Sequence, residues 1–257
     1  MKLKRLKTIE SYLIQQETVT LDELASILDV SLNTVRRDVQ ELVKLGVAQR
    51  VHGGAMLSVD RHQVPSYDAR TMLNTPSKRS IGRKAGELIR DGSVVFVDAG
   101  STAWQVLTSI PINTRATVIT ASRSAVNTAV QNRNLHVVCI GGEYYPDSDA
   151  FVGLEAIREI KNHGIEVAFL SANGICPRRG LTNASRLEAE VKRSVIEIAR
   201  TVVLMVDRSK FNQVAFAWFG NIADIDVLIT DSAPTGELET ALNQAKVDIQ
   251  IAPGLPE

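Results

Sequence analysis

Apolar residues recur at helical spacing from the start of the chain: Leu6, Ile9, Leu13 and Ile14 fall along a first helix that ends near Gln16. Thr20, with Glu23 three residues on, forms a capping box for a short second helix whose inward face is Leu24, Ile27 and Leu28. Asp29-Val30-Ser31 makes a tight break, and Ser31 is placed to cap a third helix reaching about Leu45, closed by Gly46 as a left-handed cap. Val35, Val39, Leu42 and Val43 supply that helix's core side. Residues 47–51, followed by His52-Gly53-Gly54-Ala55, predict a short hairpin with a glycine turn. Otherwise strand signals are few in the first 57 residues.

The pattern then changes. Residues 58–75 are mixed and polar with Pro65, and Pro76 follows directly; they read as a linker with some local helix. Beyond them, β-branched apolar runs stand at 94–97, 117–120, 137–140, 167–170, 202–206, 227–229 and 247–251, with helical stretches such as 186–200 and 237–245 between most of them. Continuous apolar strands alternating with helices predict a mainly parallel sheet covered on both faces. The expected organisation is a helical head at 1–57, a linker at 58–75 and an α/β domain at 76–257.

Composition changes this picture little. The 257 residues are 44% hydrophobic and 23% charged, with 29 basic and 29 acidic side chains, the profile of an ordinary globular chain. No apolar run approaches the roughly 20 residues that span a bilayer, and the basic start leads into no apolar core, so no membrane partner and no secretion signal are expected. Cys139 and Cys176 show no metal-ligand spacing; Cys139 is expected to pack in a strand, and both read as reduced cytoplasmic thiols. The reading includes no metal and no cofactor.

Two short helices joined by a break, the second with polar residues outward, form a geometry that fits a major groove. Asn33, Thr34, Arg36 and Arg37 stand in the N-terminal half of the third helix. Arg36 or Arg37 can bind guanine bidentately, Asn33 can read adenine, and Ser31 or Thr34 can bond phosphate. Arg50, His52 and Gly53 lie at the hairpin, where a wing touches backbone or minor groove. Residues 1–57 hold eight Lys/Arg against seven Asp/Glu, a weak charge for a DNA reader. Convergence of Lys2, Lys4, Arg5, Lys7, Arg36, Arg37 and Arg50 on one face would offset that.

In the second domain, Val97-Asp98-Ala99-Gly100-Ser101-Thr102-Ala103 follows the first strand and opens a helix, an arrangement suited to an anion or to simple capping by Ser101 or Thr102. Ile140-Gly141-Gly142 ends a later strand, and Asp207-Arg208-Ser209-Lys210-Phe211 follows another, where Lys210 can offer a point charge to phosphate. All three loops fall at carboxyl ends of parallel strands, the usual ligand edge.

The run Val30-Ser31-Leu32-Asn33-Thr34-Val35-Arg36-Arg37-Asp38, followed by Gln49-Arg50-Val51-His52-Gly53-Gly54-Ala55, resembles the DeoR family of bacterial sugar-operon repressors. The resemblance continues through Asp98-Ala99-Gly100-Ser101-Thr102, Ile140-Gly141-Gly142, Phe151-Val152-Gly153, Glu188-Ala189-Glu190-Val191-Lys192 and Asp207-Arg208-Ser209-Lys210-Phe211. It implies a winged helix-turn-helix joined to a Rossmann-like, doubly wound α/β domain similar in fold to ribose-5-phosphate isomerase. It implies double-stranded operator DNA as one partner and a phosphorylated sugar or sugar alcohol as the effector that releases it. The effector candidates carried over are Asp98, Gly100, Ser101, Thr102, Gly141, Gly142, Lys192 and Lys210. The chain departs from the family pattern at Ala121, where an asparagine is usual, and at Ser171-Ala172-Asn173-Gly174.

An isomerase-like enzyme carrying a DNA-binding domain is the alternative, and an activator is another. Proton shuttling between carbons needs a positioned carboxylate. The acid-rich loop of such enzymes is replaced here by Ser171-Ala172-Asn173-Gly174, and Glu188 and Glu190 are expected to pair with Lys192 or Arg193. No catalytic residue is therefore assigned, and a cytoplasmic homo-oligomer, dimer or tetramer, is expected to set two heads on repeated half-sites.

Overall fold

The computed structural model describes residues 5, 6, 8, 9, 12, 13, 16, 18–44, 47–51, 53–57 and 67–254. The chain divides into two compact units, Met1–Leu73 and Asn74–Glu257.

In the first unit Arg5, Leu6, Thr8, Ile9, Tyr12, Leu13 and Gln16 are helical. A strand, β1 (Thr18–Thr20), leads into α1 (Leu21–Leu28), and α2 (Leu32–Lys44) precedes the hairpin β2 (Ala48–Val51) and β3 (Gly54–Leu57). The Thr20–Glu23 capping box forms, with Glu23 N–H donating to Thr20 Oγ1 at 3.2 Å and Thr20 N–H to Glu23 Oε2 at 2.8 Å. Asp29 takes the left-handed conformation (φ 50°) that turns the chain between helices.

Leu24, Val35, Val39 and Leu42 pack with Leu6, Ile9 and Leu13, whereas Ile27, expected inward, is exposed. β1 was not legible from its three residues; it becomes a strand by pairing with β3 in a sheet of order β1-β3-β2. A Cβ on Gly54 would lie 2.5 Å from the Val19 carbonyl, so glycine permits that pairing. Gly46 and His52 lie outside the described residues, as does 58–66 of the expected linker. Within the rest of that stretch α3 (Tyr67–Met72) is helical, and Ala69 and Leu73 pack into the head's core.

The second unit opens with α4 (Thr75–Gly86), whose first turn holds Pro76 where no backbone donor is needed. Its sheet comprises β4 (Val94–Val97), β5 (Ala116–Thr120), β6 (Leu135–Cys139), β9 (Ile165–Leu170), β12 (Ala199–Met205), β14 (Val227–Thr230) and β15 (Asp248–Ile251). The order is β15-β14-β12-β9-β4-β5-β6, and every pairing is parallel. Side chains alternate between two cores: Phe96, Ala168, Leu170, Leu204 and Leu228 on one face, Val95, Val97, Phe169, Val203, Met205 and Ile229 on the other. A doubly wound α/β sheet results, covered by helices that include α5 (Arg123–Ala129), α6 (Leu154–Ile160), α7 (Arg186–Ile198) and α8 (Glu237–Gln244). The seven apolar runs of the sequence are its seven strands.

Two small antiparallel sheets were not foreseen. One pairs β7 (Glu143–Tyr145) with β8 (Ala150–Val152); the other joins β10 (Gly174–Cys176), β11 (Gly180–Asn183) and β13 (Ala217–Gly220) in the order β10-β11-β13. Cys139 ends β6, but at this sheet edge its side chain is exposed rather than packed. Among the described residues no helix is long and apolar enough to cross a membrane.

Candidate functional sites

Two surfaces carry the expected chemistry, and each belongs to one unit. In the head, α2 buries Val35, Val39 and Leu42 and leaves Asn33, Arg36 and Arg37 exposed, with Thr34 half-buried. Ser31 sits just before the helix, its Oγ accepting from Thr34 N–H at 3.3 Å and lying 3.0 Å from Thr34 Oγ1. Arg36 Nη1 donates to Asn33 Oδ1 at 3.4 Å, which holds these two side chains side by side.

The acid within the same helix is taken inward. Asp38 is buried and receives Arg5 Nε at 2.8 Å and Nη2 at 3.3 Å, a two-pronged pair. Arg5, expected among the cations facing a ligand, is thus spent on Asp38; Lys2, Lys4 and Lys7 lie outside the described residues. The exchange matters electrostatically. It removes a carboxylate from the outer face of α2 while Arg36 and Arg37 stay in solvent. Arg50 is exposed on β2, opposite Ala55, and Gly53 occupies the exposed turn with φ 75°. Leu21 N–H donates to the Gly53 carbonyl at 3.0 Å, tying the hairpin turn to the start of α1.

In the second unit the strand order reverses between β4 and β9, because β5 and β6 extend one way and β12, β14 and β15 the other. Crevices at such reversals, outside the carboxyl ends of the strands, are where open α/β sheets hold ligands. The loop after β4 brings Asp98, Gly100, Ser101 and Thr102 there, and the loop after β9 brings Ser171, Ala172 and Asn173. Asp98 and Lys192, only 4% and 1% exposed, form a buried ion pair through Nζ and Oδ2. Asp98 Oδ2 also accepts from Ser171 Oγ at 2.6 Å, Ser171 N–H at 3.1 Å and Gly100 N–H at 3.3 Å. Lys192 Nζ further donates to the Ser171 carbonyl at 2.9 Å and lies 5.5 Å from the centre of the Phe219 ring. Burial by itself would raise the Asp98 carboxyl pKa, but the ammonium charge of Lys192 and the bonds from Lys192 and Ser171 hold it below its usual value.

A Cβ on Gly100 would fall 1.6 Å from Ser171 Oγ, so the two loops touch only because residue 100 has no side chain. Lys192 therefore pairs with Asp98 and not with Glu188 or Glu190; Glu190 instead accepts from Arg186 at 3.1 Å one turn away. The expected helix after this loop is a 3-10 helix, Ala103–Ser109, without a side-chain cap at Thr102. Neither reading of the loop as an α-helix cap or α-helix anion site fits that tighter geometry, although Ser101 and Thr102 are buried against the crevice wall.

The other candidates lie to either side. Lys210 ends the 3-10 turn Arg208–Lys210 after β12, half-buried, and Asp207 caps that turn through Ser209 N–H at 2.9 Å. Gly141 and Gly142, both exposed, follow β6. β12 and β6 stand on opposite sides of β4, four strand steps apart, about 19 Å at the usual spacing. One small molecule at the reversal is within direct reach of the β4 and β9 loops, but not of both flanking loops at once.

A further cluster escaped the sequence reading. Asp149, left-handed (φ 55°) and buried, accepts from Arg123 Nε at 2.6 Å, Ser124 N–H at 3.1 Å, Tyr144 Oη at 2.8 Å and Ser124 Oγ. Burial pushes the Asp149 carboxyl up, and Ser124, Tyr144 and Arg123 together bring it below the ordinary value. At Ala121, where the family pattern has an amide, only the backbone acts, accepting from Phe151 N–H at 2.7 Å. Ser122 caps α5. An alanine-for-amide change and a tyrosine brought from β7 gave no sequence signal of this arrangement.

Comparison with known proteins agrees with both halves. Residues 5–60 match the DeoR-like helix-turn-helix domain and residues 73–232 the DeoR C-terminal sensor domain. The HTH-type transcriptional regulator IolR of Bacillus subtilis is 31% identical over 98% of this chain and 100% of its own length. The glycerol-3-phosphate regulon repressor of Escherichia coli is 29% identical over 92% of this chain and 94% of its own. Among solved structures, ribose 5-phosphate isomerase A of Methanocaldococcus jannaschii aligns with 52% of this chain and 53% of its own, at 20% identity and a TM-score of 0.38. With a head and a sensor domain both matched, and a relative aligned along nearly all of its length, the chain belongs to the DeoR family of DNA-binding transcriptional regulators.

Proposed function

We propose that the protein represses a sugar or sugar-alcohol catabolic operon and leaves its operator when a phosphorylated sugar or sugar alcohol binds the sensor domain. The observation that carries this reading is the outward face of α2, where Arg36 and Arg37 are exposed while the helix's own acid, Asp38, is neutralised from within by Arg5. Arg36 or Arg37 reads guanine, Asn33 reads adenine, Ser31 and Thr34 hold phosphate, and Arg50, His52 and Gly53 form the tip of the wing. The effector lies at the strand reversal, with Gly100, Ser101 and Thr102 along one wall and Lys210 at the flank for the phosphate. Asp98 and Lys192 act as positioning residues that fix the β4 loop against the β9 loop, and Gly141 and Gly142 border the far side. The protein works in the cytoplasm as a homo-oligomer, since one weakly charged head gains useful affinity by being paired.

A regulator, not an enzyme, is the reading that the buried pair supports. A general base needs a lone pair open to substrate. Asp98, the carboxylate nearest the reversal, gives Oδ2 to four donors and is held ionised beside Lys192.

The test is gel-shift titration of the full chain against the promoter DNA of its own gene neighbourhood, with and without a panel of sugar and sugar-alcohol phosphates. Arg36→Ala is expected to weaken promoter binding by about 1–3 kcal/mol. Lys210→Ala is expected to spare promoter affinity and raise the effector concentration needed for release. Binding to promoter no tighter than to unrelated DNA would overturn the reading, as would turnover of a sugar phosphate. Transcription that falls when the gene is deleted would make the protein an activator.

A further inference from the structure

The small sheet β10-β11-β13 has two edges that are treated differently. The β10 edge is covered: Phe211 bridges Ile175, and Asn212 N–H donates to the Ile175 carbonyl at 2.8 Å. The β13 edge has no such cover among the described residues; β13 is the last strand in the order, and no backbone hydrogen bond reaches it from its outer side. At this edge large apolar side chains stand exposed at every second position, Val214 44%, Phe216 82% and Trp218 45%, while Ala217 and Phe219 between them are buried. Other exposed apolar residues, such as Ile112 and Leu154, occur singly.

Proteins normally blunt a free edge with charge or proline. The outer strand β15 of the main sheet follows that rule, with Lys246 and Asp248 at its start. Around β13 the rule is suspended: residues 211–223 contain no charged side chain and no proline, in a chain that is 23% charged. An uncharged, apolar face does not fit a nucleic acid, and left in water it would be an aggregation site. It does fit itself. Two copies related by a two-fold axis bring identical segments together antiparallel, and because the segment has no charge, no like charges meet across the axis.

We propose that this face is the contact between subunits, with β13 of one copy against β13 of a second copy and Phe216 near the two-fold axis. The proposal deepens, and rests on, the reading of a homo-oligomer that sets two heads on DNA. It assigns that association to Val214, Phe216 and Trp218, not to the outer strands of the main sheet.

Sedimentation velocity of the full chain at micromolar concentration tests it. The wild type is expected at twice the monomer mass or an even multiple, Phe216→Lys at half the wild-type mass, and Ile112→Lys at the wild-type mass, with circular dichroism unchanged in all three. Phe216 is mostly solvent-exposed, so the substitution leaves the monomer core intact. A second measurement does not depend on that variant. In a Cys139→Ser, Cys176→Ser background, cysteine placed singly at 214, 216 and 218 is expected to form an intermolecular disulfide under mild oxidation at one or more of the three, and cysteine at 112 is not. A monomeric wild type, an unchanged mass in Phe216→Lys, or no cross-link at any of the three positions overturns the proposal. Promoter binding is scored separately. A chain that ignores its promoter yet halves in mass with Phe216→Lys overturns the regulator reading and supports the interface; one that binds its promoter and keeps its mass does the reverse.

Discussion

Lys192 and Asp98 are 94 residues apart in sequence, yet their side chains meet in a buried ion pair that joins α7 to the loop after β4. Neither charge has another charged partner in the contacts made at this point; the remaining bonds come from Ser171 and Gly100. Removing one member therefore leaves the other as an uncompensated charge away from water. Lys192→Met is expected to destabilise the sensor unit by about 3–5 kcal/mol, while Lys192→Met combined with Asp98→Leu recovers much of that loss. Urea unfolding of both variants checks the sign of the coupling. Equal losses in single and double variants would mean that the pair is not the unit that matters.

The same pair gives a pH dependence with a defined direction. Asp98 and Asp149 both titrate below their ordinary value in the folded chain. As pH falls, the unfolded chain takes up these protons first, so the unfolded state gains. The associated stability is fully present above the unfolded carboxylate range, about 4, and is lost as pH drops through the folded values. Urea midpoints are expected to hold from neutral pH to near that range and to fall steeply beneath it. In the Asp98→Leu, Lys192→Met double variant the fall is expected to be shallower. An equally steep fall would place the acid sensitivity elsewhere.

Gly100→Ala puts a methyl group into the space that Ser171 Oγ occupies. The two loops must separate, at a cost of about 1–3 kcal/mol in stability and with loss of effector response. Ser171→Gly opens that space but removes a donor from Asp98, so it is destabilising alone. Combined, the two changes are expected to cost less than their sum, a coupling that a double-mutant cycle measures directly. Additivity would show that the contact does not limit the loop.

How far the sequence could be read follows from the range of the interactions. The Thr20–Glu23 box, the glycine hairpin and the seven parallel strands depend on spacings of two to four residues, and each stands as expected. β1 and β13 are strands of three and four residues that exist because a distant partner pairs with them, so period alone could not distinguish them from loop. Ile27 matches the apolar period of α1 but lies at its solvent edge, because pattern records periodicity and not which neighbour arrives. At the sites, residue type was legible and partnership was not. Lys192 was expected to find an acid one turn away and found Asp98 across the sheet; Arg5 was expected outward and found Asp38. Charges within one helix have many candidate partners, and burial in the folded chain selects among them.

Asp149 combines two demands that can be separated by substitution. Its backbone is left-handed, where Asn and Asp are tolerated better than other residues with a Cβ, and its carboxylate accepts from Arg123, Tyr144, Ser124 Oγ and Ser124 N–H. Asp149→Asn keeps the backbone preference and part of the acceptor set but loses the charge. Because Arg123 reaches the pair from solvent, that charge is screened and contributes modestly. Asp149→Ala loses the acceptors as well and leaves the Tyr144 hydroxyl and Ser124 without their partner. Tyr144→Phe removes one donor from a carboxylate that keeps three others, a change of about 0.5–1.5 kcal/mol. The expected order of destabilisation is Asp149→Ala, then Asp149→Asn, then Tyr144→Phe, read from urea midpoints at neutral pH. If Asp149→Asn matched Asp149→Ala, the charge and not the turn would be what residue 149 contributes.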